Sequence, residues 1–427
     1  MSTGKNVFSD RRGRTRPGRL FAAMLAFFLV AVPLVFAVNA NAETDMSTLV
    51  NKLVQKGVLS QNDANNILAQ SNRGNEQLPA WLKKISIGGD LRLRYEYRDK
   101  EGLASGTANL GRFRYRINVA GQVLDNMKVV GRLASSSGDP RSQNVTFGTG
   151  IGSNHFTFSG EPIAIDQAYV QYAPTKALNL FGGKMPQIIW VPNQLVWDSD
   201  LEPEGLAATL NVSAAQNLGL FLNTGFWLIP TIGNLTPTMF AIQPGVNLAV
   251  AGANVKLAGT AYTFSDVKGK AASGVIGNNT SNTYVGGKYA FDYNMLAADG
   301  QIDFNNVSSV IPYVGFDGQY VHNPDPSTGN DGYLIGVMFG DKGVHKFGQW
   351  KLTYDYRRVG KDSVPDFLTE EDELTSTDLT MNVTTFTFGL AKNVSTDINW
   401  LDAHLGTATY GANRKNEVVQ VDFVTSF

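Results

Sequence analysis

Arginine recurs at every second residue in Arg112-x-Arg114-x-Arg116, and Arg92 and Arg94 show the same step one segment earlier. Lys128 and Arg132 continue the series in the following segment. A second group is acidic: Asp198, Asp200, Glu202 and Glu204 fall within seven residues, close to Ile188, Ile189, Trp190 and Trp197. Guanidinium groups keep their charge in proteins and carboxylates accept hydrogen bonds, so both groups can bind and steer ions; neither contains a nucleophile. Covalent or metal chemistry has little else to draw on. Cysteine is absent, and the histidines are His155, His322, His345 and His404. A hydrolytic centre needs a histidine beside a serine and an orienting Asn or Asp. His404 lies near Asp402 and Asn399, but no serine sits at a matching offset. The chain is therefore expected to have no catalytic residue, metal site or cofactor, and not to be an enzyme.

These charges sit in segments of period two. From Ile85 onward, Ile85, Ile87, Leu91, Leu93, Tyr95 and Tyr97 alternate with Ser86, Asp90, Arg92, Arg94 and Glu96. Phe113, Tyr115, Ile117 and Val119 alternate with the arginines, and Trp350, Leu352, Tyr354 and Tyr356 with Lys351, Thr353, Asp355 and Arg357. Such alternation is the signature of strands with one apolar and one polar face. It predicts sixteen strands, over 85–97, 111–123, 127–136, 163–173, 177–185, 204–213, 217–228, 241–250, 254–265, 293–304, 310–322, 332–340, 348–358, 382–392, 396–405 and 417–427. Short connections such as Leu124-Asp125-Asn126 alternate with long ones over 137–162, 186–203, 266–292 and 359–381. The expected fold class is all-β transmembrane: an antiparallel up-and-down barrel of about 16 strands. A soluble sandwich would also alternate, but it gives no reason for arginines at steps of two between aromatics or for the alternation of loop lengths.

With the apolar face on lipid, Arg92, Arg94, Arg112, Arg114, Arg116, Lys128 and Arg132 would form one inward basic wall. An unpaired buried charge costs several kcal/mol, and arginine cannot shed its proton, so the lumen must hold water or compensating acids. The acidic run at 198–204 could be a solvated surface loop. Its tryptophans and isoleucines favour a loop folded into the lumen, with its carboxylates facing the basic wall and narrowing the passage. Opposed charges across such a constriction would set up a transverse field that filters solutes.

Composition supports this class. The 427 residues are 43% apolar and 17% charged, with 44 glycines against 16 prolines, and no domain boundary is evident. After position 40 there is no apolar run of about 20 residues, which excludes a polytopic helical membrane protein. Before it, five arginines in 11–19 precede the apolar stretch 20–38, and Ala40-Asn41-Ala42 supplies a small-x-small site. This pattern predicts a Sec-type signal peptide cleaved after Ala42. Its loss lowers the count from 36 basic and 37 acidic residues to 30 and 36, a net −6 that argues against a nucleic-acid partner. Residues 46–71 carry Leu49, Val50, Leu53 and Val54, then Ser60 and Asp63 before Ile67 and Leu68, the spacing of a short periplasmic helical hairpin. The expected domains are the leader (1–42), the helical segment and linker (43–80) and the barrel (81–427).

Taken together, these residues resemble a family: the outer-membrane porins of Gram-negative bacteria that carry a small helical segment before a single barrel. The likeness rests on Lys56-Gly57-Val58-Leu59, on Ile87-Gly88-Gly89-Asp90-Leu91-Arg92-Leu93-Arg94-Tyr95, on Trp197-Asp198-x-Asp200-x-x-Pro203-Glu204-Gly205, and on the terminal Phe427. The resemblance implies passive diffusion of small hydrophilic solutes or ions, contact with outer-membrane lipid, and commonly a homotrimer. Phe427, with Phe423 on the same strand, is expected to be the terminal signal read by the barrel-assembly machinery. The alternative is a non-conducting barrel acting as adhesin or as sheath for a partner protein, with Thr231 to Ile242 and 266–281 as contact surface.

Overall fold

The computed structural model describes residues 54–55, 60–65, 84–101, 107–148, 163–229, 237–271, 281–369, 377–410 and 413–427. The chain divides into two units, Met1–Leu78 and Pro79–Phe427. In the first, residues 61–65 are helical and begin as the sequence leads one to expect. Ser60 Oγ accepts from the Asp63 amide at 3.1 Å and donates to Asp63 Oδ2 at 2.6 Å, a reciprocal cap at a helix start. The leader with its cleavage site, and most of the hairpin expected over 46–71, lie outside the described residues.

The second unit is one antiparallel sheet closed on itself. In chain order its long strands are β1 (Ile85–Lys100), β2 (Thr107–Leu124), β3 (Met127–Ser135), β4 (Ile163–Tyr172), β5 (Leu178–Lys184), β6 (Glu204–Ala215), β7 (Leu218–Leu228) and β8 (Thr238–Val250). They continue as β9 (Ala253–Ser265), β10 (Leu296–Asn305), β11 (Tyr313–His322), β12 (Asp331–Gly340), β13 (Trp350–Val359), β14 (Leu379–Ala391), β15 (Val394–Leu405) and β16 (Arg414–Ser426). Each pairs with its sequence neighbour, and β16 pairs with β1 from Asp90↔Ser426 to Lys100↔Asn416, so the sixteen strands form a ring. Closure leaves no edge of unpaired peptide groups, the condition for a sheet to span lipid. The two-residue piece Val145–Thr146 adds to the sheet beside Arg112 and Phe113 of β2.

The short rim is built from tight turns. Ala251 (φ 49°) and Gly252 (φ 84°) both take the left-handed conformation that a two-residue hairpin loop requires between β8 and β9. Along the strands, apolar side chains project outward: Ile87, Leu206 and Ile335 are each more than 60% exposed in the isolated chain, and Tyr115 and Tyr354 are on the same outer surface. So much exposed aliphatic surface around a whole ring requires an apolar medium.

The strand expected over 293–304 begins instead at Leu296. Tyr293 and Met295 are fully buried in the preceding loop, and Tyr284–Val285 pairs with Lys288–Tyr289 as a hairpin within that loop. The segment set at 310–322 likewise begins only at Tyr313. At the first, apolar residues that mimic strand periodicity serve loop packing; at the second, Val310 is exposed in the turn before the strand.

At the seam, Phe427 exchanges two backbone hydrogen bonds with Gly89, each 3.0 Å, and its ring stacks near Tyr115 at 6.5 Å between centroids. A Cβ on Gly89 would lie 2.6 Å from that ring and 2.3 Å from the Arg116 carbonyl oxygen. Gly89 is therefore the gap through which the last residue closes the barrel. The substitution Gly89→Val should cost about 1–3 kcal/mol by overpacking. It should lower the fraction of protein that migrates as the heat-resistant barrel on a denaturing gel; unchanged heat resistance would show that the seam does not depend on this fit.

Candidate functional site: the charged lumen

Because side chains alternate across a strand, the arginines of β1 to β3 all enter the lumen. They do not stand free. Arg94 makes a bidentate pair with Asp422 of β16, at 2.7 and 2.8 Å. Arg114 and Arg116 share Asp90, at 3.1 and 2.7 Å. Arg112 reaches Glu96 at 3.2 Å, and Arg98 pairs with the same carboxylate. Arg132 lies between Asp166 and Glu202 and pairs with both. The wall thus supplies most of its own counter-charge, which lets arginines be buried at so many adjacent positions. Lys128 stands apart, opposite Gln122 and Gln171 near the short rim.

The connection 185–203 enters the lumen and is anchored on its apolar side. Met185, Ile189, Leu195, Val196, Trp197 and Leu201 are buried in one cluster with Trp227, Met239, Tyr262 and Phe264, which project inward from β7, β8 and β9. Trp197 donates its Nε1 to the Tyr262 hydroxyl at 3.3 Å and lies edge-on to Trp227 at 6.4 Å. The polar pins are equally specific. Gln243 on β8 accepts from the Trp190 amide at 2.8 Å and donates to its carbonyl at 2.7 Å; Gln319 on β11 accepts from the Leu195 amide at 3.2 Å; Arg357 on β13 donates to the Gln194 carbonyl at 3.1 Å.

The four acidic residues of this stretch have four different placements. Asp200 comes to 3.8 Å from Arg114, and Glu202 pairs with Arg132. Asp198 is buried and accepts the Asp200 amide at 2.7 Å while its own amide donates to the Leu368 carbonyl. Glu204 is the exception to the sequence expectation. It begins β6 on the outward-facing set with Leu206 and pairs with Lys184 at 2.8 Å, because the strand alternation, once started, turns it away from the lumen. The acidic run is therefore not one constellation.

The loop leaves open a cavity of about 680 Å³ on the other side of the lumen, bordered by β1, β2, β11 to β16 and the loop tip. Arg92, Arg94, Arg114, Lys351 and Asp397 line it, together with Asp422. The histidine arrangement weighed from sequence does not form: His404 and Asp402 are on the outer face, 3.9 Å apart, whereas Asn399 lines the cavity.

Residues 100–295 and 287–427 match the model of a family described as "putative porin". The chain belongs to this family. The fold agrees: a structure of OprB from Pseudomonas putida superposes with a TM-score of 0.52 at 8% identity, covering 83% of this chain and 97% of that one. An engineered Rhodopseudomonas blastica porin gives 0.45 at 12% identity over 80% and 100% of the two chains. The outer membrane channel DcaP of Acinetobacter baumannii gives 0.47 at 13% over 80% and 97%. No curated protein sequence matches the chain. Family and fold make it an outer-membrane channel protein.

Two features of this porin were missed from sequence. One is the apolar inner surface of β7 to β9: Phe221, Trp227, Met239 and Tyr262 face inward, against the general rule that apolar residues of these strands face lipid. Their parity, opposite to that of Leu220 and Phe226, carried the signal. The other is a set of inward carboxylates on the opposite arc from the arginines, Asp299 and Asp303 on β10, Asp317 on β11 and Asp355 on β13. Beyond them, the connections 281–295 and 360–369 interlock around Asp366, which accepts from the Ser281 and Asn282 amides and from the Tyr284 and Tyr289 hydroxyls.

Burial pushes the Glu202 carboxyl up to about 7; Arg132 pulls the other way, and neighbouring Asp166 adds to the rise. One guanidinium faces two carboxylates, and Glu202 Oε2 is buried without a hydrogen-bond partner. A carboxyl raised in the fold stabilises it fully below its unfolded value of about 4.5 and loses that contribution as pH rises through 7. Amides of residues 198–203 should therefore exchange more slowly at pH 5 than at pH 8 after correction for intrinsic rates. Glu202→Gln should remove the difference.

Proposed function

We propose that this porin passes small hydrophilic solutes or ions by passive diffusion through the half of the lumen that the connection 185–203 does not fill. The observation that carries the reading is the 680 Å³ cavity itself, whose lining of guanidinium, carboxylate and hydroxyl groups would be unfavourable if dry. A barrel of sixteen strands is too wide for its side chains to close, and the apolar cluster blocks one side only. In this reading Arg92, Arg94 and Arg114 border the path. Arg112, Arg116 and Arg132 brace the wall behind it. Asp198, Asp200 and Glu202 fix the returning limb of the loop. The direct pairing of Asp200 and Glu202 with arginines weakens any field those pairs could project, so the transverse field arises between the β1–β2 wall and the carboxylates of β11, β13 and β15.

The same reading includes cleavage of the leader after Ala42, a periplasmic helical segment over 43–80 and the barrel from 81 onward. It also includes assembly as a homotrimer, and recognition of Phe427 and Phe423 by the barrel-assembly machinery. Planar-bilayer recording of the purified protein tests the central part. Discrete conductance steps are expected, closing in threes if the trimer is correct. Deleting 193–202 removes Leu195 and Trp197 with the loop tip and should raise the single-channel step. Absence of any step in well-folded protein would favour a non-conducting adhesin or sheath, and an unchanged step after the deletion would place the loop outside the path.

A further inference from the structure

Pairing the charges at the short-rim end of the lumen leaves a remainder. Arg92 sits on β1 between arginines that have carboxylate partners, yet its own hydrogen bond is to the Asn144 side-chain oxygen at 2.6 Å, and its buried Nε has no partner. Lys351 on β13 lines the same cavity with no carboxylate at ion-pair distance among the described residues. Asp397 on β15 is the register partner of Thr387 on one side and of Asp422 on the other, and both cations act on it. In the rows nearest the short rim, Arg92, Arg94 and Lys351 meet Asp397 and Asp422, three cations against two carboxylates, while Asp317 of the same cavity is level with Asp355, further from that rim.

The strand register shows where that excess acts. The row of inter-strand partners that runs from Arg92 passes through Val424 and Ser395 to Gly389, none of which carries charge. At the end of this row the turn 341–349 folds against the barrel, bringing Gly343, Val344 and His345 to the cavity. The turn is fixed there. Gln349 Oε1 accepts from the His345 and Lys346 amides at 2.8 and 3.1 Å, the Asn393 amide donates to the His345 carbonyl at 3.0 Å, and the Gly389 amide donates to the Gln349 carbonyl at 2.8 Å. A Cβ on Gly389 would lie 2.1 Å from the Lys346 carbonyl oxygen, so this packing needs glycine.

We propose that the short-rim end of the lumen, between Arg92, Lys351 and the fixed turn, is a binding subsite for a small monocarboxylate anion. The inference rests on the porin reading and specifies the solute class for it. A guanidinium offers parallel N–H donors that match the two oxygens of a carboxylate, and one excess positive charge suits a monoanion. Lys351 adds attraction as a point charge, and the turn narrows the space beside it.

The test is current block in planar bilayers with the full-length porin in fixed potassium chloride. Propionate is added at constant ionic strength, with methanesulfonate as a monoanion lacking a carboxylate and phosphate as the alternative oxyanion. Propionate should reduce the current saturably and more than either comparison ion. Loss of a charge-assisted pair should weaken that block about tenfold or more in Arg92→Gln and by a few fold in Lys351→Gln. Both variants are first checked for heat-resistant migration; Lys351 has no ion pair to lose, so its variant keeps the test open if Arg92→Gln fails to fold. A conducting channel that propionate blocks no better than methanesulfonate overturns the subsite, as does block of wild-type strength in the folded variants. Stronger block by phosphate overturns the carboxylate assignment. A barrel that does not conduct overturns the porin reading and this inference with it.

Discussion

Charge that cannot be neutralised governs this molecule. Arginine keeps its proton in any protein environment, so a wall bearing Arg92, Arg94, Arg112, Arg114, Arg116 and Arg132 must meet carboxylates or water along its whole length. Asp90, Glu96, Asp166 and Asp422 meet it from adjacent strands, and Asp200 and Glu202 from the inward connection. The barrel can close around such an interior because its own register sets acid beside base. It stays open where the pairing stops, on the side of Arg92 and Lys351.

The second requirement is a hold on the connection 185–203 that does not consume the lumen. Hydrophobic burial provides it. Placing Trp197 between Trp227 and Tyr262 sequesters aromatic surface on one arc, while the carboxylates of the same segment reach back to the arginines. The segment is amphipathic in the sense of a strand but spans the interior, with one side against a greasy wall and the other against a charged one. Dividing the lumen in this way makes the path eccentric, bounded by β11 to β16 with β1 and β2.

Much of this was legible in the residues. The strand count and most boundaries followed from alternation, since a period of two assigns each side chain to a face and the turns between are marked by runs such as Leu124-Asp125-Asn126. The inward arginines followed for the same reason. Alternation failed where loop residues copy it, as at Tyr293, and where inner and outer faces are both apolar, as on β7, whose Phe221 and Trp227 face the loop while Leu220 and Phe226 face outward. Glu204 was misplaced because grouping by sequence proximity ignores the start of β6. The partners that the strands themselves supply could not be read: Arg94 and Asp422 are 328 residues apart and meet only through closure of the ring.

The most direct measurement uses the absence of native cysteine, which lets single replacements report alone. Arg92→Cys and Tyr115→Cys place thiols on opposite faces of the first two strands. The account predicts that a membrane-impermeant, water-soluble thiol reagent modifies the first and reduces current in a bilayer. The second should be modified only by a lipid-soluble reagent and leave the current unchanged. Modification of Tyr115→Cys from water with loss of current, while Arg92→Cys reacts only from lipid, would turn the barrel inside out and contradict it.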